Sequence, residues 1–296
     1  MVQVVFKVKK DEIQSVKSLL FSRVDVKPLE TTNPYEAFRA EHGGYLIIGY
    51  LTGKIVANSE NARALMAEIL PRLLKTLTRS IIIGSDETGK GEWLGPMVVA
   101  AVVTSPEQIY ELQAQGVMDS KELSLPRIRE FARFIRDHHY HTSHVIITPK
   151  RFNELFDEFK DENKTLNDLL AWGHSKAIED LLNSVQKNDE EIRVIIDEFD
   201  KIKTEERLRR VLDMNRIEVV QYPKAEENMA VAAASIIARD LREDYIDLLC
   251  KKLQKDLRTL AVEDAVKDEK AVEYAKVSFL KKLTERKSAR EKAEEG

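Results

Sequence analysis

The stretch that decides the fold runs from Ile81 to Pro96 and reads Ile-Ile-Ile-Gly-Ser-Asp-Glu-Thr-Gly-Lys-Gly-Glu-Trp-Leu-Gly-Pro. Consecutive isoleucines before a glycine predict a short buried strand, and the glycines that follow predict a loop. Two adjacent acids, Asp86 and Glu87, stand where the strand gives way to the loop. Carboxylates at a strand end are well placed for chemistry, so this loop is the first candidate for a functional site.

Strand and helix patterns alternate on the C-terminal side of this stretch, which predicts an α/β domain. The predicted strands are 81–84, 97–103, 143–148, 193–197 and 217–221, and the predicted helices are 124–137, 149–159, 166–185, 204–213 and 229–253. Residues 255–296 are helix-prone and highly charged, which is typical of a partly frayed tail. We therefore assign residues 79–296 to one domain with a helical extension at its C-terminus.

The residues before this domain follow a different order: strand, helix, a meander of strands, helix. Alternating apolar residues predict strands at 2–8, 35–40, 45–50 and 54–57, and helical spacing predicts helices at 11–21 and from the capping residue Ser59 toward Leu77. This order predicts a small α+β domain, residues 1–78. Its open sheet has one face covered by helices and the other free to lie on a partner.

Composition limits the class of protein and the kind of metal site. The chain has 296 residues, 43% hydrophobic and 33% charged, with a net charge of −4, which describes a soluble globular protein with room for two unequal domains. Its apolar runs are far shorter than a membrane span and its N-terminus lacks a signal peptide, so we expect a cytoplasmic protein. A single cysteine excludes a thiolate cage, so a metal would need oxygen or imidazole ligands.

Charge is distributed unevenly along the chain. Residues 1–79 carry 12 Lys and Arg against 8 Asp and Glu, whereas the remainder carries 35 against 43, or +4 against −8. A basic part joined to an acidic part is typical of a protein that attracts a polyanion with one region and gathers carboxylates around cations with the other. Solvated surface charge alone also produces such an asymmetry, so this observation needs support from motifs.

The acidic loop has the glycine and lysine spacing of a phosphate-binding loop that ends in Lys90, but two features argue against one. Gly91 occupies the position where a metal-binding Ser or Thr is needed. Asp86 and Glu87 lie inside the loop and would face the phosphates. Like unit charges about 4 Å apart repel by about 4 kcal/mol at an effective dielectric constant near 20. We therefore reject direct phosphate binding by this loop.

Divalent cations between the acids and a phosphate remove that conflict. Mg²⁺ binds a few carboxylates together with water and phosphate oxygens. Asp86 and Glu87 would share it with Asp197, which ends the apolar strand Val194-Ile-Ile-Asp, and with Glu226 or Glu227, which precede an alanine-rich helix. Small residues in that helix predict close packing on the sheet. The sequence thus predicts a carboxylate metal site at the ends of neighbouring strands.

Ordered motifs cover most of residues 80–240. They are Gly84-Ser-Asp-Glu-Thr-Gly-Lys-Gly91, Trp93-Leu-Gly-Pro96, Met118-Asp-Ser-Lys-Glu-Leu123, Ile195-Ile-Asp197, Lys224-Ala-Glu226 and Ala232-Ala-Ala-Ser-Ile-Ile-Ala-Arg239. Together they resemble the motifs of the type 2 ribonucleases H. The lysine between two glycines and the Lys-Ala-Glu context of the last acid resemble the ribonuclease HIII branch. The N-terminal module resembles the TATA-binding-protein-like substrate-binding domain of that branch.

The resemblance implies an RNase H-like fold with a mixed sheet flanked by helices, and endonucleolytic hydrolysis of the RNA strand of RNA–DNA hybrids to 3′-hydroxyl and 5′-phosphate ends. The implied catalytic and metal-holding acids are Asp86, Glu87, Asp197 and Glu226. The chain has one residue fewer than we expect between Glu226 and the alanine-rich helix, so Glu227 remains an alternative. Two Mg²⁺ or Mn²⁺ ions per active site are implied, with Asp86 bridging them. No obligate protein partner and no membrane is implied, and we expect a monomer.

Substrate recognition is expected from residues beside the acids. The backbone amides of Gly89 and Gly91 can approach a ribose closely because neither residue has a Cβ, and they would read the 2′-hydroxyl that distinguishes RNA from DNA. Lys90 and Lys121 are expected to contact phosphates as point charges. Ser235, in the alanine-rich helix, is expected to touch the substrate, although close packing explains a small residue equally well.

Other interpretations remain to be separated by experiment or structure. A carboxylate-dependent DNA exonuclease and a nucleic-acid-binding module without activity both fit the acids and the basic module. Histidines at 138, 139, 141 and 144 suggest zinc, but their spacing fits no standard ligand pattern and favours a partly exposed helix end. Trp93 is expected to pack beside the acidic loop.

Overall fold

The computed structural model describes residues 4–76, 80–117, 120–162, 164–184, 191–197, 205–206, 208–209, 217–222 and 225–294. The chain divides into two compact units. The first consists of Met1–Ile82, Thr104–Met118 and Asn188–Arg193, and the second of the remaining residues. Some sequence predictions lie wholly or largely outside the described residues: the helix 204–213, Met118 and Asp119 of the motif at 118–123, and Lys224. The expected division into domains 1–78 and 79–296 stays a prediction.

The first unit is an antiparallel sheet with helices packed on it. The strands lie in the order β1-β5-β4-β3-β2. They are β1 (Val4–Lys7), β2 (Val26–Leu29), β3 (Glu36–His42), β4 (Tyr45–Tyr50) and β5 (Lys54–Ala57), and the helices are α1 (Ile13–Phe21), α2 (Glu60–Ile69), a 3₁₀ segment Leu70–Thr76 and α3 (Pro106–Gln115). The sequence predicted β4 and β5 to the residue, and Ser59 caps α2 by accepting a 3.1 Å hydrogen bond from the Ala62 amide.

Two elements of this unit were not predicted. Strand β2 contains Pro28, which has no amide hydrogen, and β2 accordingly lies at the sheet edge. Helix α3 begins with a capping box formed by Ser105 and Gln108. It buries Tyr110 and Ala114 in the same core as the N-terminal helices and strands. The N-terminal core therefore includes residues from well beyond residue 78.

The face of the first sheet away from α1 and α2 carries exposed lysines. Phe6 points into the core, so Val5 and Lys7 lie on the other face, where Val5 is 37% exposed. Lys7 pairs with Lys54, and Lys27 pairs with Glu41, which places these residues on that same face. All three lysines are exposed. At the centre of this face, however, Ile48 and Val56 are buried.

The second sheet has the strand order β10-β9-β6-β7-β8, so β6 lies at its centre. Strands β7 and β8 are antiparallel. The elements are β6 (Ser80–Thr88), β7 (Met97–Thr104), β8 (Thr142–Ile147), β9 (Glu191–Asp197), β10 (Ile217–Tyr222), α4 (Leu125–Asp137), α5 (Pro149–Asp161), α6 (Leu166–Ser184), α7 (Met229–Leu253), α8 (Val262–Lys267), α9 (Ala271–Tyr274) and α10 (Val277–Glu294). The bounds of α7 are those that the sequence predicted.

Helix α7 packs closely on the central strand. A Cβ at Gly84 would lie 2.1 Å from the carbonyl carbon of Ala230, so only glycine allows this approach. The alanines of α7 at 230 and 232–234 are fully buried. Asn228 caps the helix by accepting a 2.9 Å hydrogen bond from the Ala230 amide. The predicted close packing of the alanine-rich helix is confirmed, and it brings α7 against the strand that carries the two adjacent acids.

The C-terminal segment is packed along much of its length. Leu257, Ala265, Tyr274 and Leu280 are buried in one cluster with residues of α7. The expectation of a partly frayed tail is therefore wrong as far as Leu280. Its apolar residues are spread thinly among charged ones, so the composition hides a face that buries well. Among the helices of the described residues, none has the length and apolarity that crossing a membrane requires.

Candidate active site

The site is built where central strands carry acids. Asp86 and Glu87 lie near the C-terminal end of β6, and Asp197 is the last residue of the neighbouring strand β9. Strand β6 continues through both acids to Thr88, four residues further than the sequence predicted. Acids from adjacent strands of one sheet thus lie in the same part of the second unit.

Asp86 is buried beneath α7 and its charge is disfavoured. Its side chain is 6% exposed, and its Oδ1 accepts a 2.8 Å hydrogen bond from the Glu87 amide. Burial and, after it, the negative charge of Glu87 raise the pKa of Asp86 to about 7. A hydrogen bond with Ser235 and the positive charge of Lys121 act in the opposite direction. Excess negative charge at a buried carboxylate is what a bound cation would neutralise.

Glu87 is held at both carboxylate oxygens. Oε1 lies 2.6 Å from the ammonium of Lys90, and Oε2 lies 3.1 Å from Nε2 of His174. Burial alone would raise the pKa of Glu87, but the hydrogen bond and charge of His174, together with Lys90, lower it to about 2. Glu87 therefore stays ionised beside an aspartate that resists ionisation.

His174 contacts Glu87, and the sequence analysis did not identify it as a site residue. It lies in α6, is fully buried, and places Nδ1 2.8 Å from the hydroxyl of Ser85. Since a carboxylate only accepts, Nε2 donates to Glu87. The hydroxyl of Ser85 is also 2.9 Å from the carbonyl of Ala100, so the chain Ala100, Ser85, His174, Glu87 is continuous. The available signal was Gly173, a poor helix former inside a helix, whose Cβ would meet Val99 at 2.8 Å.

The other histidines do not form a metal site. His138 caps the end of α4 and is exposed, and His139 has a φ of +56° next to it. No group of three or more His, Cys, Asp or Glu side chains positioned to hold a metal occurs among the described residues. The interpretation as a partly exposed helix end thus holds for His138 and His139, whereas His144 lies within β8.

Asp197 is tied to the turn that carries the remaining candidate acids. Its Oδ1 accepts a 3.1 Å hydrogen bond from the amide of Ala225, the first residue of the 3₁₀ turn Ala225–Glu227. Glu227 is exposed. The side chain of Glu226 lies outside the described residues, so the choice between Glu226 and Glu227 stays open. The structure brings Asp86 and Glu87 together and links Asp197 to the turn of the fourth acid.

The glycine turn beside the acids is tight at one end and open at the other. Gly89 has a φ of +79°, and a Cβ there would lie 2.4 Å from the carbonyl oxygen of Pro96. Gly91 has nothing within 4 Å of its Cβ position, so packing within the chain does not require glycine there. Lys90 is exposed between them. The backbone at Gly91 is accessible to an outside ligand.

A second turn faces the acids from the α7 side. Ser120 and Lys121 belong to the 3₁₀ turn Ser120–Glu122, and the hydroxyl of Ser120 lies 2.6 Å from that of Ser235. Arg239 of α7 donates to the carbonyl of Ser120 at 3.0 Å. Ser235 is 3% exposed and also bonds Asp86, so its hydroxyl holds the site together. Its expected contact with substrate stays a prediction.

Trp93 is partly buried against the cluster that contains Leu249 and Tyr274. These neighbours belong to α7 and the C-terminal segment, so the expectation that it packs beside the acidic loop stays a prediction.

Comparisons with known proteins give the context for this geometry. The sequence model of the family described as Ribonuclease HII matches residues 83–290. A protein named Ribonuclease HIII from Protochlamydia amoebophila (strain UWE25) is 37% identical over 237 residues, which are 76% of this chain and 74% of the relative. Another, from Chlamydia pneumoniae, is 33% identical over 219 residues and covers 70% of each chain.

Solved structures share the fold. A crystal structure described as Bst-RNase HIII in complex with Mn²⁺ has a TM-score of 0.61 and 23% identity, with coverage of 96% of this chain and 100% of that one. Aquifex aeolicus RNase H3 has a TM-score of 0.51 and 20% identity, with coverage of 93% and 99%. The predicted fold class, a mixed sheet flanked by helices with a further antiparallel sheet before it, is confirmed.

Proposed function

The chain belongs to the type 2 ribonuclease H family, in its ribonuclease HIII branch, and is therefore an endoribonuclease; from this premise we propose how it acts. It hydrolyses internal phosphodiester bonds in the RNA strand of RNA–DNA hybrids and leaves 3′-hydroxyl and 5′-phosphate ends. One observation carries the proposal. The buried pair Asp86 and Glu87 lies directly before a glycine turn whose backbone is open at Gly91.

The chemistry of the donors fits divalent cations. Among the described residues no group of three or more His, Cys, Asp or Glu side chains is placed to hold a metal, so the proposed set depends on Glu226, whose side chain lies outside them. The donors are carboxylate oxygens, which Mg²⁺ and Mn²⁺ prefer. Burial and, after it, the charge of Glu87 raise the pKa of Asp86, and a bound cation would offset both effects. The Mn²⁺ complex of a structural neighbour supports a divalent metal. Asp86, Glu87, Asp197 and Glu226 would hold two ions. When bound, such ions supply activation of water and stabilisation of the leaving oxygen.

The chain's own residues prepare the carboxylates for that task. Ser235 donates to Asp86, which favours its ionised form. His174 is buried and keeps Oε2 of Glu87 occupied, whereas Lys90 on Oε1 is exposed and its contact can be given up at little cost. Oε1 is therefore the oxygen of Glu87 that could give up Lys90 and bind a cation instead. Lys90, once released, carries its charge to the substrate phosphate.

The glycine turn and the lysines are proposed to bind the RNA strand. The amides of Gly89 and Gly91 read the 2′-hydroxyl, since glycine at 91 leaves the backbone accessible. Lys121 lies near enough to Asp86 to affect its pKa, which supports a phosphate contact adjacent to the acids. Because Lys90 is a point charge and not a bidentate guanidinium, we expect poor cutting of a single ribonucleotide embedded in DNA and efficient cutting of continuous RNA.

The N-terminal unit is proposed to hold the hybrid. Residues 1–78 resemble a TATA-binding-protein-like domain, they are basic, and one sheet face carries exposed lysines. Groove shape and phosphate contacts would make this grip weakly dependent on sequence and sensitive to salt. A monomer acting in the cytoplasm is part of the same proposal, and light scattering after size-exclusion chromatography measures the oligomeric state.

A nicking assay on a hybrid labelled at one end and in its body tests the proposal. Internal RNA cuts by the wild type, lost in Asp86→Asn and in Asp197→Asn with hybrid binding retained, are the expected result. Trimming from ends would favour the exonuclease, and binding without any cut would favour the inactive module. Comparable rates on continuous RNA and on a single embedded ribonucleotide would contradict the HIII-type selectivity.

A further inference from the structure

The segment that follows the glycine turn is held by residues close to the C-terminus. Leu94 forms a β-bridge with Ala275. The amide of Gly95 donates to the carbonyl of Tyr274 at 2.8 Å, and the amide of Lys276 donates to the carbonyl of Trp93 at 2.7 Å. Residues 274–276 thus lie along residues 93–95 like a short added strand, although 181 positions separate Lys276 from Gly95 in the sequence.

Lys276 is buried in this contact, and its amine hydrogen-bonds the backbone of the loop. Its side chain is fully buried, and Nζ donates to the carbonyl oxygen of Gly95 at 2.7 Å. Nζ also lies 5.7 Å from the centre of the Phe152 ring. Burying an amine costs free energy that an apolar chain of the same length would not. What lysine adds over methionine at this position is the hydrogen bond that fixes the Gly95 carbonyl.

Arg242 of α7 joins the two ends of the same loop. It is 6% exposed, and its Nη2 donates to the carbonyl of Leu94 at 3.0 Å and forms an ion pair with Glu92. Its Nε lies 3.1 Å from the position of a Cβ on Gly89. Nη1 is paired with Glu243 at 2.8 Å, so the guanidinium is anchored from within α7. Arg242 therefore holds the segment at Glu92 and Leu94, and its side chain lies beside Gly89.

We propose that Lys276 and Arg242 are positioning residues that hold residues 89–95 in the conformation that reads the ribose, so that the C-terminal segment sets the preference for RNA. The inference rests on the proposed function. It gives residues 274–276, which lie in the charged C-terminal segment, a role in substrate recognition that does not depend on exposed charge. Neither side chain needs to touch the substrate, because both act through backbone carbonyls of the loop, those of Gly95 and Leu94.

The physical basis is preorganisation. Reading a 2′-hydroxyl with backbone amides requires the amides to be fixed before the substrate arrives, since ordering a loose loop lowers the affinity. Phosphate contacts from exposed lysines do not depend on that loop. Loosening residues 89–95 should therefore weaken hybrid binding more than binding to DNA duplex, and the ratio of the two dissociation constants reports the role.

Lys276→Met tests the proposal, because methionine keeps the length and removes the donor. The matched control is Lys282→Met, on the exposed surface of α10. Fluorescence anisotropy in EDTA, where no cutting occurs, gives the Kd of an RNA–DNA hybrid and of a DNA duplex of the same sequence. The hybrid Kd should rise about tenfold, the size of one lost buried hydrogen bond, with the duplex Kd within about twofold. In Mg²⁺, KM should rise while kcat at saturating hybrid stays near that of the wild type.

The outcomes separate the inference from the proposed function. The inference is overturned if the ratio of hybrid to duplex Kd in Lys276→Met equals that of the wild type, whether both Kd values are unchanged or both rise by the same factor. A wild type that does not cut hybrids overturns the proposed function instead. Should Lys276→Met not fold, Glu92→Gln loosens the same segment from the other side. Glu92 is 57% exposed, so its replacement is tolerated by the fold, and a smaller fall of the ratio in the same direction is expected.

Discussion

Replacing His174 by phenylalanine tests whether this buried histidine prepares Glu87 for a cation. Phenylalanine fills a similar volume and removes both ring nitrogens. Ser85 keeps the Ala100 carbonyl as partner, so the loss falls on Oε2 of Glu87, which is buried. A hydrogen bond to a buried charged group is worth about 1.5–3 kcal/mol. Partners of metal ligands are typically worth about 10–100-fold in metal affinity, which agrees with that range.

The assay is isothermal titration of Mn²⁺ and Mg²⁺, with His141→Phe as the control because His141 is exposed. We expect His174→Phe to weaken metal binding by about 10–100-fold and the control to leave it unchanged. The melting temperature is measured in EDTA and in Mg²⁺ to separate positioning from general destabilisation. A positioning role shrinks the rise that Mg²⁺ produces, whereas a purely structural role lowers both melting temperatures equally. Equal metal affinities in His174→Phe and the control would refute the reasoning.

Three further predictions follow from charges in the structure. Asp86 has a pKa of about 7 in the fold, against 3.8 when unfolded, so its ionisation lowers the stability of the protein as the pH rises through this range. At pH 8, Asp86→Asn should therefore stabilise the metal-free protein by about 2–4 kcal/mol, as measured by urea unfolding. An unchanged or lowered urea midpoint would contradict this. Lys276 has a pKa of about 7 in the fold, against 10.5 when unfolded, because burial disfavours its charged form. The stability of the wild type relative to Lys276→Met should therefore rise by about 3 kcal/mol between pH 7 and pH 9.5. A stability difference that does not change with pH would contradict the burial of a neutral amine. If the open sheet face contacts phosphates, replacing Lys7, Lys27 or Lys54 by glutamine should change the salt dependence of hybrid binding. The slope of log affinity against log salt should become shallower by about one for each lysine replaced. Lys282→Gln is the control, and an unchanged slope in the three variants would contradict the prediction.

These lysine replacements probe the N-terminal unit better than its deletion would. Tyr110 and Ala114 of α3 are buried in the same core as the N-terminal helices and strands. Removing residues 1–78 would expose them, and a loss of binding would then be mixed with a loss of stability. Changes of surface charge leave that core intact.

Local patterns determined much of the fold. The bounds of β4, β5 and α7 follow from alternation, glycine turns and a capped alanine-rich run, because each of these signals lies within the element itself. Strand β2 was missed because Pro28 is a poor strand former that only an edge position tolerates. Helix α3 was missed although Ser105 and Gln108 form a capping box, since its apolar face is short.

The sequence by itself determined the family, the central strand and the adjacent acids Asp86 and Glu87, because that motif is contiguous. Only the tertiary structure decided what holds them. His174 and Glu87 are 87 positions apart, and Lys276 and Gly95 are 181 apart. The fold likewise brings Ser235 of α7 to Asp86, through the glycine at 84 that admits the helix. A hydrogen bond between distant residues produces no periodic pattern in the sequence around either of them. Such contacts can therefore be identified only from the burial and the distances in the folded structure.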